Sequence, residues 1–184
     1  MQVTETAIPA VKTLTPKKHG DHRGFFSEVY SRKALRDAAG IDLEFVQDNH
    51  SLSAEKGVLR GLHYQLPPMA QDKLIRVVRG AILDVAVDIR RGSPTFGRHV
   101  KEIISAENWK QILVPIGFAH GFVTLEQNTE VVYKVTNYYS PAHDRGILWN
   151  DPALGIDWSV SATAAILSEK DRKHPTLADA KELF

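Results

Sequence analysis

Leu74-Ile75-Arg76-Val77-Val78-Arg79-Gly80-Ala81-Ile82-Leu83-Asp84-Val85-Ala86-Val87-Asp88-Ile89 reads as sheet, not helix. In an extended chain Ala81, Leu83, Val85, Val87 and Ile89 share one face, while Asp84 and Asp88 take the other. That period of two predicts a half-buried strand. Residues 74–78 precede it across Arg79-Gly80, as a strand pair or one kinked strand. Outward from this stretch, β-rich runs recur at 25–30, 43–53, 58–65, 100–104, 111–114, 121–125 and 131–139. Turn chemistry separates them at Pro67-Pro68, Gly92-Ser93-Pro94, Asn108, Pro115-Ile116-Gly117 and Ser140-Pro141. Helix is predicted only at 31–39, between a Ser31 cap and a Gly40 stop, and at 176–183. Many short strands with short peripheral helices predict an all-β antiparallel sandwich or barrel.

The chain has 184 residues with no repeat or linker-like tract, so 1–184 reads as a single domain. Lys and Arg total 23 against 22 Asp and Glu, for a net charge of +1. That balance gives no bulk footprint for nucleic acid or an anionic membrane, and neither is expected as a partner. No uncharged apolar run approaches the ~20 residues of a bilayer span. No basic segment leading into an apolar one marks a signal peptide at the N-terminus, and a cytoplasmic protein is expected. Cysteine is absent, which removes disulfides, thiolate nucleophiles and sulfur-dependent zinc sites. Eight histidines stand out against this ordinary background.

Two stretches carry chemistry. Gly57-Val58-Leu59-Arg60-Gly61-Leu62-His63-Tyr64-Gln65 and the later Pro115-Ile116-Gly117-Phe118-Ala119-His120 resemble the paired motifs of the cupin superfamily, a group of jelly-roll barrels. Metal-binding cupins place His-x-His in the first motif. This chain has His63-x-Gln65, so one imidazole is missing and no metal is expected.

The resemblance sharpens along the chain. Gly20-Asp21-His22-Arg23-Gly24-Phe25-Phe26, Phe45-Val46-Gln47-Asp48-Asn49-His50-Ser51, Ser93-Pro94-Thr95-Phe96-Gly97, Asn137-Tyr138-Tyr139-Ser140-Pro141, Leu148-Trp149-Asn150-Asp151-Pro152 and Leu167-Ser168-x-Lys170-Asp171 occur in order. Together, over about residues 8–175, they resemble the dTDP-4-dehydrorhamnose 3,5-epimerase family. The resemblance implies a cupin-type antiparallel jelly-roll barrel and a dTDP-sugar substrate, dTDP-4-dehydro-6-deoxy-D-glucose. Its C4 ketone acidifies the hydrogens on C3 and C5. Inverting both centres gives dTDP-4-dehydro-L-rhamnose for dTDP-rhamnose biosynthesis. That needs a base on one face, stabilisation of the enolate, and an acid on the other face, with no cofactor. A single-centre epimerase, a non-catalytic sugar-nucleotide-binding cupin and a metal-dependent cupin are the competing readings. Retention of His63 and Tyr133 argues against the second, and Gln65 against the third.

The resemblance also implies roles. His63 is the base, since imidazole titrates near neutrality, and Asp171 orients it. Read alone, His63 would be a structural histidine and Asp171 a surface charge. Tyr133 is the acid, and Tyr139, placed at the same parity on one predicted strand, stacks on the thymine. Lys73 stabilises the enolate; His120 is a binding position and with Asp84 forms either a second His–Asp pair or a structural hydrogen bond. Arg60 and Arg23 grip the diphosphate. Glu28, Gln47, Asn49 and Lys170 occupy binding positions, as does Asp144, which stands where the family usually has Glu. Arg60 and His63 differ by an odd number, so a regular strand would separate them, whereas a bulge at Gly61 would unite them. A homodimer is expected. In it the β-like stretch 3–14 adds to the partner's sheet, and Arg23 and Glu28 complete the other subunit's site.

Overall fold

The computed structural model describes residues 1–184. Strands are numbered in chain order. One sheet runs β1 (Gln2–Glu5), β2 (Lys12–Thr15), β10 (Gln111–Val114), β7 (Lys73–Arg79), β12 (Thr129–Val135), β5 (Gln47–Ser53). The other runs β13 (Asp144–Gly146), β6 (Leu59–Gln65), β11 (Phe118–Thr124), β8 (Ala81–Asp88), β9 (His99–Ser105). Every pairing within these sheets is antiparallel, giving the cupin-type jelly roll. A separate hairpin, β3 (His19–Asp21) with β4 (Gly24–Phe26), stands exposed beside them.

The two sheets face each other because their inward side chains are apolar. Ile75, Val77 and Val131 from one sheet meet Ile82, Ala86, Phe118 and Phe122 from the other. Burying each such side chain contributes about 1.5–3 kcal/mol. The outer face of the five-stranded sheet carries Leu59, Leu62, Leu83, Val85 and Val87. The C-terminal segment covers it with Ile147, Trp149, Leu154, Trp158 and Leu177. β8 is therefore buried along all eight residues, not on one face as its alternation predicts. Its inward carboxylates are retained because they are partnered: Asp84 meets His120, and Asp88 accepts from Arg90, Ser93 and Thr95. Between β7 and β8 the chain turns at Gly80 and changes sheets, so the stretch is neither a pair nor a kinked strand.

Helix α1 (Arg32–Ala39) forms where the sequence places it. The Ser31 hydroxyl accepts from the Ala34 amide at 3.3 Å, and Gly40 ends the helix at φ 68. It buries Leu35 against Leu14, Leu74 and Leu113 on the outer face of the six-stranded sheet.

Two further expectations fail. Residues 176–183 form a single turn instead of a helix. The tail is drawn away to pair with the chain after β8, with Phe184 donating to Ile89 and Arg91 donating to Phe184. The stretch 3–14 is not one long strand. Thr6 bonds the carbonyls of Ile8 and Val11 and bends the chain, so β1 folds back on β2 and β2 joins its own sheet through β10. Local hydroxyl chemistry overrides the β-like composition there.

Candidate active site

The barrel opens at one end between the two sheets, and strand parity lines that mouth with polar groups. On β7 Lys73 precedes the inward Ile75. On β12 Tyr133 lies between inward Val131 and Val135, and Asn49 of β5 is its cross-strand partner. Two adjoining hollows result, of about 330 and 290 Å³. His63, Lys73, Tyr133 and Lys170 line both, so they form one trough. Gln47, Asn49, Tyr139 and Asp144 line the first alone, while Arg60, His120 and Asp171 line the second alone.

A bulge brings Arg60 and His63 into this trough together. His120 pairs with His63 and Phe122 with Arg60, so β6 carries one residue more than β11 across that interval. Gly61 makes the bulge at φ 123, packed so tightly that a Cβ would lie 2.6 Å from Gly121 Cα. Only glycine fits there.

His63 Nε2 lies 2.6 Å from Asp171 Oδ1. The Asp171 side chain is 5% exposed, so the carboxylate is a fixed acceptor that holds the proton on Nε2 and leaves Nδ1 as the free base. Burial lowers the His63 pKa, and the pull of Asp171 opposes that only in part. Burial pushes Asp171 up, yet the nearness of His174, the bond to His63 and the nearby Ser168 outweigh it and hold the carboxyl below its usual range. The pair therefore rests as neutral imidazole beside carboxylate, ready to take a proton.

Tyr133 stands on the opposite sheet. Burial raises its phenol above the ordinary 10.0, with Arg60 opposing, so it keeps its proton at neutral pH. Lys73 belongs to the same sheet, and burial lowers it to about 8, against the pull of Asp144 and Asp84. His120 Nε2 meets Asp84 Oδ2 at 2.8 Å, as its sequence pairing predicts.

This trough belongs to a chain that a family model, described as dTDP-4-dehydrorhamnose 3,5-epimerase, matches over residues 5–179. The chain belongs to that family. The dTDP-4-dehydrorhamnose 3,5-epimerase of Pseudomonas aeruginosa is 54% identical over 180 residues, 98% of this chain and 98% of its own. A crystal structure of the Bacillus anthracis epimerase with TDP and PPi bound is similar at TM-score 0.91 and 53% identity, covering 95% of this chain and 98% of that one. The Legionella pneumophila dTDP-6-deoxy-D-glucose-3,5-epimerase, in complex with dTDP-4-keto-L-rhamnose, is similar at TM-score 0.92 and 46% identity, over 97% and 93% of the two chains.

At the rim of this family's barrel the side chains bond one another. The Tyr139 hydroxyl donates to Asp144 at 3.0 Å, and Lys170 pairs with the same carboxylate. Asp144, one methylene shorter than Glu, is thus bonded by two of the other binding-position side chains. Gln47 donates to Asn49 at 2.8 Å. Tyr139 reaches the trough, but not by strand parity, because β12 ends at Val135 and a loop carries the ring. That loop is held by Gln65, which bonds the carbonyls of Met69 and Tyr138 and the amide of Ser140. The amide standing where metal-binding cupins have a second histidine is thus committed to the backbone.

Arg23 and Glu28 are not brought to the trough of their own chain. Arg23 lies in the exposed hairpin, paired with Asp21 at 2.5 Å, and Glu28 is exposed nearby. Sequence reading missed His174, whose Nε2 lies 3.6 Å from Asp171 Oδ1. An acid followed three positions later by histidine was the available signal. His63, Asp171 and His174 are the side chains that could approach one ion, with ligand atoms within 4.8 Å of one another. The 2.6 Å contact of the first two is a hydrogen bond through a shared proton.

Proposed function

We propose that the chain, an isomerase of this family, epimerises dTDP-4-dehydro-6-deoxy-D-glucose at C3 and C5 to dTDP-4-dehydro-L-rhamnose. The observation that carries this is the disposition of His63 and Tyr133 on facing sheets of one trough. His63 Nδ1 removes the proton alpha to the C4 ketone, and the electron pair moves into a C4 enolate. The Lys73 ammonium stabilises the oxygen, and the Tyr133 hydroxyl returns a proton to the opposite face. Asp171 stabilises the imidazolium.

Arg60 binds the diphosphate. Its guanidinium makes only long contacts, of 3.4–3.5 Å, to Ser53 and Leu52, so its donors are available. Tyr139, 57% exposed at the rim, offers its face to the thymine, with Gln47, Asn49, His120, Asp144 and Lys170 around the sugar nucleotide. No metal or cofactor is called for, because the ketone itself acidifies both centres.

The active form is a homodimer in which Arg23 and Glu28 complete the partner's trough. The placement of Arg23 in the exposed hairpin and of Glu28 just after it, both away from their own cavity, supports this. No helix is long and apolar enough to cross a membrane, in keeping with a cytoplasmic enzyme of nucleotide-sugar synthesis.

Turnover in deuterated water tests the reading. Solvent label is expected at both C3 and C5, at a rate that EDTA leaves unchanged. Label at one carbon alone would make it a single-centre epimerase, and absence of label would remove the catalytic reading.

A further inference from the structure

We infer that His174 is a positioning residue: it stands beside His63 against the same oxygen of Asp171 and holds the carboxylate in line as His63 takes up its proton. This rests on the epimerase reading above.

His174 follows the short turn Asp171–Lys173, and the next residue, Pro175, is fixed by the Leu148 amide at 2.7 Å. The ring is therefore delivered from a tethered segment. It stands edge-on to His63, with centroids 5.5 Å apart and planes at 79°. Its side chain is 10% exposed, and its Nε2 is buried with no hydrogen-bond partner. The acceptor it faces is Asp171 Oδ1, at 3.6 Å, the same oxygen that His63 approaches at 2.6 Å.

A buried ring nitrogen left unpaired is costly, yet the fold makes room for it. Gly146, the cross-strand partner of His63, lies against the imidazole so closely that a Cβ there would meet ring atoms at 2.4–2.5 Å. The residue opposite the base thus lacks a side chain, and His174 occupies that space. A contact 0.6 Å longer than an ordinary 3.0 Å bond is suited to closing later, since catalytic hydrogen bonds often tighten only with substrate bound. As His63 becomes imidazolium, its bond to Asp171 becomes an ion pair. A second N–H on the same oxygen keeps the carboxylate from rotating away.

The electrostatic surroundings are defined. Asp171 is faced by His63 and His174, with Ser168 nearby accepting from its backbone amide, and His63 by Asp171, Lys73 and Lys170. Without the His174 donor, the charge of Asp171 falls more fully on His63 and favours its imidazolium. The acid limb of kcat/KM then moves to higher pH.

The test compares His174→Leu, which removes the donor, with His174→Gln, whose amide nitrogen can restore it. His174→Leu is expected to lower kcat about tenfold with KM changed less than about twofold, and to raise the acid limb. His174→Gln is expected to recover most of kcat and the original limb. Calorimetric binding of thymidine diphosphate should be the same for both variants and the parent, showing an intact site. An unchanged kcat and acid limb in His174→Leu would overturn the inference, as would a His174→Gln protein no better than His174→Leu. An inactive parent enzyme would instead overturn the epimerase reading, and this inference with it.

Discussion

His63 and Tyr133 occupy facing sheets of the barrel, one beside a buried carboxylate and the other near the Arg60 guanidinium, and both border each half of the same trough. On the mechanism proposed above, a sugar ring lying between them presents one face to the base and the other to the acid, and a proton removed toward one sheet is returned from the other.

The two halves of this act should separate by mutation. His63→Ala is expected to lose turnover by at least about 10³-fold, within the range general-base removal produces, while thymidine diphosphate still binds. Tyr133→Phe should lose net epimerisation yet keep measurable exchange of substrate hydrogen with solvent, since abstraction precedes return. Stopped and isotope-monitored assays of both variants check this. A His63→Ala protein with full activity would end the mechanism.

The pH profile should be a bell displaced at both ends. Burial lowers His63 below its ordinary 6.5, so the free base persists on the acid side and the acid limb of kcat/KM falls below 6.5. Burial also lowers Lys73 to about 8, so its ammonium is lost above that value and the rate declines there. Initial rates across the range locate both limbs. An acid limb above 6.5, or residual Lys73→Met activity that still falls near pH 8, would contradict the assignments.

Arg60→Lys should weaken binding of thymidine diphosphate although it conserves charge, because an ammonium lacks the planar fork of donors. A loss of about tenfold is expected for the diphosphate, and much less for thymidine. Calorimetry with the two ligands decides it, and equal losses would mean that Arg60 is structural.

Assembly can be tested by complementation. His63→Ala and Arg23→Ala chains, each impaired alone, are refolded together. If Arg23 serves the neighbouring trough, heterodimers contain one intact site, with His63 from one chain and Arg23 from the other. Recovery of roughly a quarter of the native rate is expected for a statistical mixture of two-fold dimers. Verified heterodimers without activity, or a monomer in sedimentation, would remove the proposal.

The all-β class was legible because period-two alternation marks the sequence of β8 and β-rich runs recur along the chain, and the helix because Ser31 and Gly40 bracket it. Burial was harder to read. β8 looked half-exposed because its covering layer lies about 60–100 residues further on, and no local pattern encodes that distance. The terminal turn was misread for a related reason, since backbone bonds to Ile89 and Arg91 compete with helix there. Within the site, the joint placement of Arg60 and His63 depended on one bulge, which Gly61 signalled without deciding. His174 escaped notice because its meaning lies in what it stands against, a bare position on β13 opposite the base.

The C-terminal segment that roofs the five-stranded sheet also delivers Asp171. During synthesis on the ribosome every strand emerges before that residue does, so a nascent barrel holds His63 without its carboxylate. Loss of this segment to a protease would remove Asp171 from beside His63 and uncover Leu83, Val85 and Val87 on the sheet's outer face in the same cut. If Asp171 acts as proposed, activity is thereby coupled to integrity of the tail: a clipped chain both loses its dyad and displays a sheet of apolar surface to solvent.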